Sequence, residues 1–179
     1  LDLQKAEEQA REAQIEAALE RVRARAMAMH SSKELEEVAL ELRVQMGKLG
    51  QKDLEVCAIH LYEENEDYFE SWGAVRAPGM EEKLFQGMAK FPKSGIKIVE
   101  EMMAHYYAGD KDYVLVNDGE KGQEWLLAMK KYSPQAYAML SKKIESTPQD
   151  EIIAYWSISD FKGGALVMVT YTKPDETSL

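Results

Sequence analysis

The chain begins with LDLQKAEEQAREAQIEAALERVRARAMAM, residues Leu1 to Met29, and this stretch decides much of its fold. It contains neither Gly nor Pro. It consists almost wholly of Ala, Leu, Glu, Gln, Lys and Arg, the residues that lose least free energy on entering a helix. We predict one continuous helix, roughly 40 Å long at about 1.5 Å per residue. A helix of that length cannot pack entirely against one small domain, so it needs a partner.

Two apolar stripes run along this predicted helix in different heptad registers. One has 3-4-3-4 spacing and the other 4-3-4-3 spacing, the a/d pattern of a coiled coil. A change of register where they overlap would locally over- or underwind a coiled coil. We predict a parallel two-stranded coiled coil; the alternative is an amphipathic helix that covers another part of the domain. The predicted dimer seam comprises Leu3, Ala6, Ala10, Ala13 and Ala17 in the first stripe and Ile15, Leu19, Val22, Ala26 and Met29 in the second.

Composition argues against several classes of function. The 179 residues carry a net charge of −10, which disfavours nucleic acids and anionic membrane surfaces as partners. The sequence has no apolar run of about 18 residues, so we predict no membrane insertion. Its one cysteine, Cys57, cannot form an internal disulfide, which fits a cytoplasmic protein. The first residue is Leu rather than Met, which suggests a fragment of a longer protein.

The rest of the chain alternates between helical and strand-like patterns. His30-Ser31-Ser32 interrupts the first helix and is a candidate hinge, and a second helix is predicted to end at Gly50. Further helices are predicted over Ser94–Ala108, Gly119–Lys131 and Pro134–Glu145. The stretch Met80–Lys90 is ambiguous and is predicted as a short helix. Strands are predicted over Leu54–Tyr62, Tyr68–Arg76, Tyr113–Asn117, Glu151–Ser159 and Ala165–Thr172. This order predicts an α+β fold, with an antiparallel sheet of about five strands and helices on its faces.

Motifs for catalysis or metal binding are sparse. The three His residues occur singly, without HxxxH or HExxH spacing, and a lone cysteine makes no zinc cluster. Glu100, Glu101 and His105, on one predicted helix, are the titratable cluster most worth testing for an enzyme. We predict no catalytic site, no metal and no cofactor.

Aromatic and methionine side chains are the best indication of a small-molecule pocket. Such residues can line an adaptable apolar cavity, although core packing is their usual role. The predicted pocket residues are Trp72, Met102, His105, Tyr106, Trp125 and Trp156.

A family resemblance rests on Ala13–Leu35, AQIEAALERVRARAMAMHSSKEL, together with the preceding LDLQKAEEQARE. This stretch resembles a linker of bacterial multi-domain sensor proteins, chiefly sensor histidine kinases, where it leads into a GAF-like sensory domain. The order of elements over about Glu36–Lys173 agrees with that fold. The motifs of GAF subfamilies that bind cyclic nucleotides or bilins are missing, so the resemblance identifies no ligand.

The resemblance implies a function for the whole chain. It would be a cytoplasmic, non-catalytic module of a two-component system, dimerising through its first helix and relaying input to an output domain outside this sequence. The alternative is a GAF-like module that binds a small molecule in an aromatic and methionine-lined pocket. The implied domains are a signalling helix at 1–30, a GAF-like sensory domain at 31–173 and, at 174–179, a polar tail or the start of the next linker.

Overall fold

The computed structural model describes residues 2–27, 34–35, 37–39, 41–42, 54–76, 84–145, 148 and 153–171. Several predictions concern residues or side chains outside that set: the hinge at 30–32, the helix end at Gly50, the tail after 173, and the seam positions Ala26 and Met29.

An α+β fold is confirmed, with a long N-terminal helix and one antiparallel sheet. The elements are α1 (Asp2–Met27), α2 (helical residues within 34–42), β1 (Leu54–Leu61), β2 (Tyr68–Arg76), β3 (Leu84–Pro92), α3 (Lys97–Ala108), β4 (Asp112–Asn117), α4 (Gly119–Tyr132), α5 (Pro134–Glu145), β5 (Ala154–Phe161) and β6 (Gly164–Thr170). The strands form a six-stranded sheet in the order β3-β2-β1-β6-β5-β4. The chain therefore enters at a central strand, builds one edge, crosses through α3 to the other edge and returns to pair β6 with β1.

One prediction about the sheet was wrong. The stretch Met80–Lys90 was predicted as a short helix, but Leu84–Pro92 forms the edge strand β3 and raises the number of strands to six. It pairs with β2 from Arg76↔Leu84 to Tyr68↔Pro92. A proline is tolerated in an edge strand, and a glycine such as Gly87 disfavours a helix interior. The strand is stabilised by its neighbour, which a local pattern cannot reveal.

The two faces of the sheet are covered by different helices. Because side chains alternate along a strand, successive residues of β1 belong to two separate cores. Cys57 and Ile59 pack in a core with α1 and α2, whereas Ala58 belongs to the core beneath α3 and α4. Helix α5 packs on the same face as α4, and Val56 packs against the cluster that Met129 of α4 forms with Ala136 and Leu140 of α5. The sheet thus separates α1 from the helices α3 to α5.

Helix α1 packs one of its two stripes on the sheet. Ile15, Leu19 and Val22 are buried in a core that contains strand residues, which corrects the expectation that they lie in a dimer seam. At about 100° per residue, the other stripe points to the opposite side of the helix. Its members are all exposed: Leu3, Ala6, Ala10, Ala13 and Ala17. The two stripes are therefore two faces of one helix rather than two registers of one seam.

A buried arginine fixes the second half of α1 to the sheet. The Arg23 side chain is only 5% exposed and its guanidinium lies 3.1 Å from the Asp112 carboxylate of β4. It also donates to the Ser159 hydroxyl on β5, and Ser159 donates to Asp112 at 2.6 Å. The first half of α1 lacks such packing, because every residue over 2–14 is exposed. About 20 Å of helix is therefore left uncovered by the described part of the chain.

Candidate ligand-binding site

A cavity of about 300 Å³ lies between the sheet and helices α4 and α5. This volume is at the lower end of the range of about 300–1,000 Å³ that is typical of small-molecule sites. The strands contribute small residues to its wall, which leaves room beneath the helices. These residues include Ala58 of β1, Gly73 of β2, Gly87 of β3 and Ala154 of β5.

Large aromatic side chains form one part of the wall. Trp156 on β5 is 2% exposed and meets Trp125 of α4 edge-on, with ring centroids 4.7 Å apart. Phe91 of β3 lies against Trp125 with a centroid separation of 4.9 Å. Strand alternation places Trp156 on this face, and the buried side of α4 brings Trp125 to it. The wall therefore offers flat apolar surfaces held by their own packing.

His60 is a buried polar residue in the cavity wall. It lies on β1, is 4% exposed and packs against the Phe69 ring with centroids 4.7 Å apart. Burial lowers the pKa of His60 to about 3, so its imidazole is neutral near pH 7. Its Nδ1 has no hydrogen-bond partner among the described residues. A buried polar atom without a partner is costly and calls for an explanation.

Asn117 is the second such residue. It ends β4, is 3% exposed, and its Oδ1 has no hydrogen-bond partner within the described part of the chain. Helix α4 begins two residues later at Gly119, and Gly119 and Gly122 also line the cavity. The Asp118 side chain makes no capping hydrogen bond to this helix. The first turn of a helix carries backbone N–H groups without helical acceptors, so donors and an acceptor meet at this end of the cavity.

The electrostatic character of the cavity is nearly neutral. No residue among those that line it, within the described part of the chain, is Asp, Glu, Lys or Arg. The surrounding surface is different, because the chain as a whole carries a net charge of −10. An ionised group on a ligand would have no ion-pair partner among the described lining residues, which makes its burial unfavourable.

Two of the six predicted pocket residues, Trp125 and Trp156, line this cavity. Trp72 is buried on the opposite face, in the core with α1, because β2 turns Ser71 and Gly73 toward the cavity instead. Met102 is buried in the core beneath α3, and the Tyr106 hydroxyl accepts a hydrogen bond from the Gly163 N–H at 3.0 Å. His105, Met102 and Tyr106 all lie on α3 and do not line the cavity.

The titratable residues of α3 do not converge. His105 bonds to Asp110 at 2.7 Å, and Glu101 bonds to Lys121 at 2.9 Å. Glu100 accepts from the Gly95 N–H instead, so the three side chains engage three different partners. Over the described residues, no group of three or more His, Cys, Asp or Glu side chains is arranged to hold a metal ion.

Asp160 on β5 is a buried carboxyl outside the cavity. The Tyr113 hydroxyl donates to its Oδ1 at 3.2 Å, while Oδ2 has no hydrogen-bond partner in the described residues. Burial raises the pKa of Asp160 to about 6, against the opposing effect of the Tyr113 hydrogen bond. The folded state therefore holds a poorly solvated carboxylate above pH 6, and this reduces the free energy of unfolding as the pH rises.

Replacing this carboxyl by an amide should therefore stabilise the protein at neutral pH. For Asp160→Asn we expect the free energy of unfolding to rise by about 1–2 kcal/mol at pH 7, and this gain to vanish near pH 4. Urea denaturation at the two pH values measures both quantities. Asp67→Asn, at an exposed position of the connection between β1 and β2, is the matched control and should show no such gain. A gain for Asp160→Asn that was the same at both pH values would contradict the raised pKa.

Comparisons of the chain with protein-family models, with curated proteins and with solved structures gave no match. Within the described ranges, no helix combines the length and the apolar character needed to cross a membrane.

Proposed function

We propose that this chain is a GAF-like sensory module that binds a small molecule in the cavity and transmits its binding through the sheet to α1. One observation carries the proposal: the cavity and α1 lie on opposite faces of the same central strands. On β1, Ala58 and His60 line the cavity, while Cys57 and Ile59 pack beneath the helix. A ligand that moves β1 would change both packings together.

Transmission requires an element with two arrangements that the ligand can bias. The second half of α1 is a candidate. Its buried residues Ile15, Leu19 and Val22 and the interactions of Arg23 with β4 and β5 fix its position on the sheet. Because α1 is one continuous helix, a small shift or rotation of this half would also move its exposed first half, residues 2–14. The output domain would lie outside this sequence, as in a bacterial two-component sensor in the cytoplasm.

The exposure of the first half of α1 supports the proposal of a parallel homodimer. A short helix exposed on all sides is marginally stable in water without a partner. The exposed stripe at Leu3, Ala6, Ala10, Ala13 and Ala17 keeps its heptad spacing and offers small side chains that allow close approach of a second helix. The seam has little apolar area, so we expect a weak dimer whose strength a bound ligand can change.

The dimer is tested by Ala10→Glu, at the centre of this exposed stripe. Two carboxylates would face each other across the seam, so we expect the dimer dissociation constant to rise at least about tenfold. Sedimentation equilibrium over a range of concentrations measures it. Gln4→Glu adds the same charge at an exposed position away from the stripe and should change the constant little. A wild-type chain that is monomeric at every concentration would overturn the dimer.

Transmission from the cavity to α1 is tested by measuring the dimer dissociation constant with and without a bound ligand. If the two events are coupled, the ligand changes dimerisation by the same factor by which dimerisation changes ligand affinity. Binding without any change in the dimer constant would favour the alternative function, a small-molecule-binding module that transmits nothing through α1.

A further inference from the structure

We infer that the cavity binds an uncharged bicyclic aromatic molecule that carries an N–H or O–H donor. This inference rests on the proposed function and names the class of ligand for the same site. Four properties of the cavity lead to it: its volume, its aromatic wall, its lack of charge and its unpaired polar atoms.

The volume limits the size of the ligand. An apolar cavity of about 150 Å³ holds one benzene molecule. At about 300 Å³, the cavity has room for two fused rings.

The aromatic wall favours a flat ligand. Trp125 and Trp156 stand edge-to-face, and Phe91 is tilted by 31° to Trp125. These rings present both faces and edges toward one space, and aromatic pairs prefer offset-stacked or edge-to-face contacts. A planar ring system can make such contacts at little cost in conformational entropy, since it has few rotatable bonds.

The lack of charged side chains among the described lining residues disfavours ionised ligands. The described lining residues include no acidic or basic side chain that could pair with a carboxylate or an ammonium group. His60 contributes a neutral imidazole. A charged ligand would therefore lose its hydration without gaining a counter-ion among these residues.

The unpaired polar atoms determine the polar group of the ligand. The side-chain oxygen of an asparagine can only accept a hydrogen bond, so Asn117 Oδ1 requires a donor. The Nδ1 of a neutral His60 can donate or accept, depending on its tautomer. A ring N–H or a phenolic O–H would supply the missing donor after a rotation of the Asn117 side chain, because Oδ1 lies below the cavity surface, whereas a purely apolar ring would leave Asn117 unsatisfied.

The test is calorimetric titration of the full chain with three probes: indole, benzofuran and indole-3-carboxylate. Indole and benzofuran have nearly the same shape, but only indole has an N–H donor. We expect indole to bind up to about tenfold more tightly than benzofuran, the effect of one hydrogen bond. We expect indole-3-carboxylate to bind at least about tenfold more weakly than indole, because its charge is unpaired.

Variants test whether the probes bind in this cavity. Asn117→Leu should abolish the preference for indole while benzofuran still binds, which also shows that the variant is folded. Ala58→Leu, which fills the cavity from β1, should weaken both neutral probes at least about tenfold, whereas Ala104→Leu on the exposed side of α3 should not.

Several outcomes would overturn the inference: equal affinities for indole and benzofuran, tighter binding of the carboxylate, or no binding of any probe. These results leave the dimer and relay untouched. The proposed function fails separately, if the wild-type chain never dimerises or if a bound ligand never changes dimerisation.

Discussion

Leu19→Ala is expected to lower the free energy of unfolding by about 2–5 kcal/mol, the cost of emptying a well-packed leucine site. Leu19 is 2% exposed and lies in the core between α1 and the sheet. Truncation removes its buried methyl groups and leaves a cavity that the surrounding strands cannot fill. Urea denaturation at a concentration where the chain is monomeric measures the effect.

The same helix provides a matched control in Leu3→Ala. Leu3 is 74% exposed, so its truncation should change the stability of the monomer by no more than about 0.5 kcal/mol. If Leu19 instead contributed to a dimer seam, its loss would depend on protein concentration. Equal effects of the two substitutions in the monomer would contradict the packing of α1 on its own sheet.

The length and position of α1 could be predicted from its sequence, but the role of its Ile15 stripe could not. A heptad pattern records that apolar residues share a face, and it does not identify the surface that covers them. Here the surface is the sheet, which includes Ile59 and Leu166, and these residues are distant in sequence from the helix. The amphipathic-helix alternative describes the stripe at Ile15, Leu19 and Val22 correctly, whereas the coiled coil of the exposed stripe stays a prediction.

Some strands could be predicted from the local sequence, whereas β3 depends on contacts with another strand. Residues over 54–62 and 113–117 were predicted as strands, and β1 and β4 confirm those predictions. β3 was missed, since its residues have no strong alternation of their own and are stabilised as an edge by β2. Strand pairing is a property of two distant segments, so a single segment carries only part of the signal.

The site was the least predictable part. Trp72 was assigned to the pocket. Side chains alternate along β2, however, and Trp72 lies on the face of the sheet opposite to its neighbours Ser71 and Gly73. His60 and Asn117 were not assigned to the pocket at all, although each is a polar residue that directly follows a run of apolar strand residues. That contrast is the signal that could have identified them, because a buried polar residue needs a partner.

His60→Phe should remove a large part of the acid sensitivity of the fold. The unfolded chain binds a proton on His60 below about pH 6.5, whereas burial lowers the pKa to about 3 in the folded state. Between these values the unfolded state binds more protons, so stability is lost as the pH falls. From pH 7 to pH 4 we expect wild type to lose about 3 kcal/mol more than His60→Phe, as measured by urea denaturation.

The opposite pH dependence of Asp160 makes this test selective. Its raised pKa of about 6 means that wild type gains stability from that carboxyl as the pH falls, so Asp160→Asn and His60→Phe should change the pH profile in opposite directions. If His60→Phe left the profile unchanged, the imidazole would be able to take up a proton in the folded state. It would then place a cation beside Phe69 in the cavity wall, and the cavity would favour anionic ligands instead of neutral ones. The pH profile of one variant therefore tests both the burial of His60 and the charge of the ligand it can face.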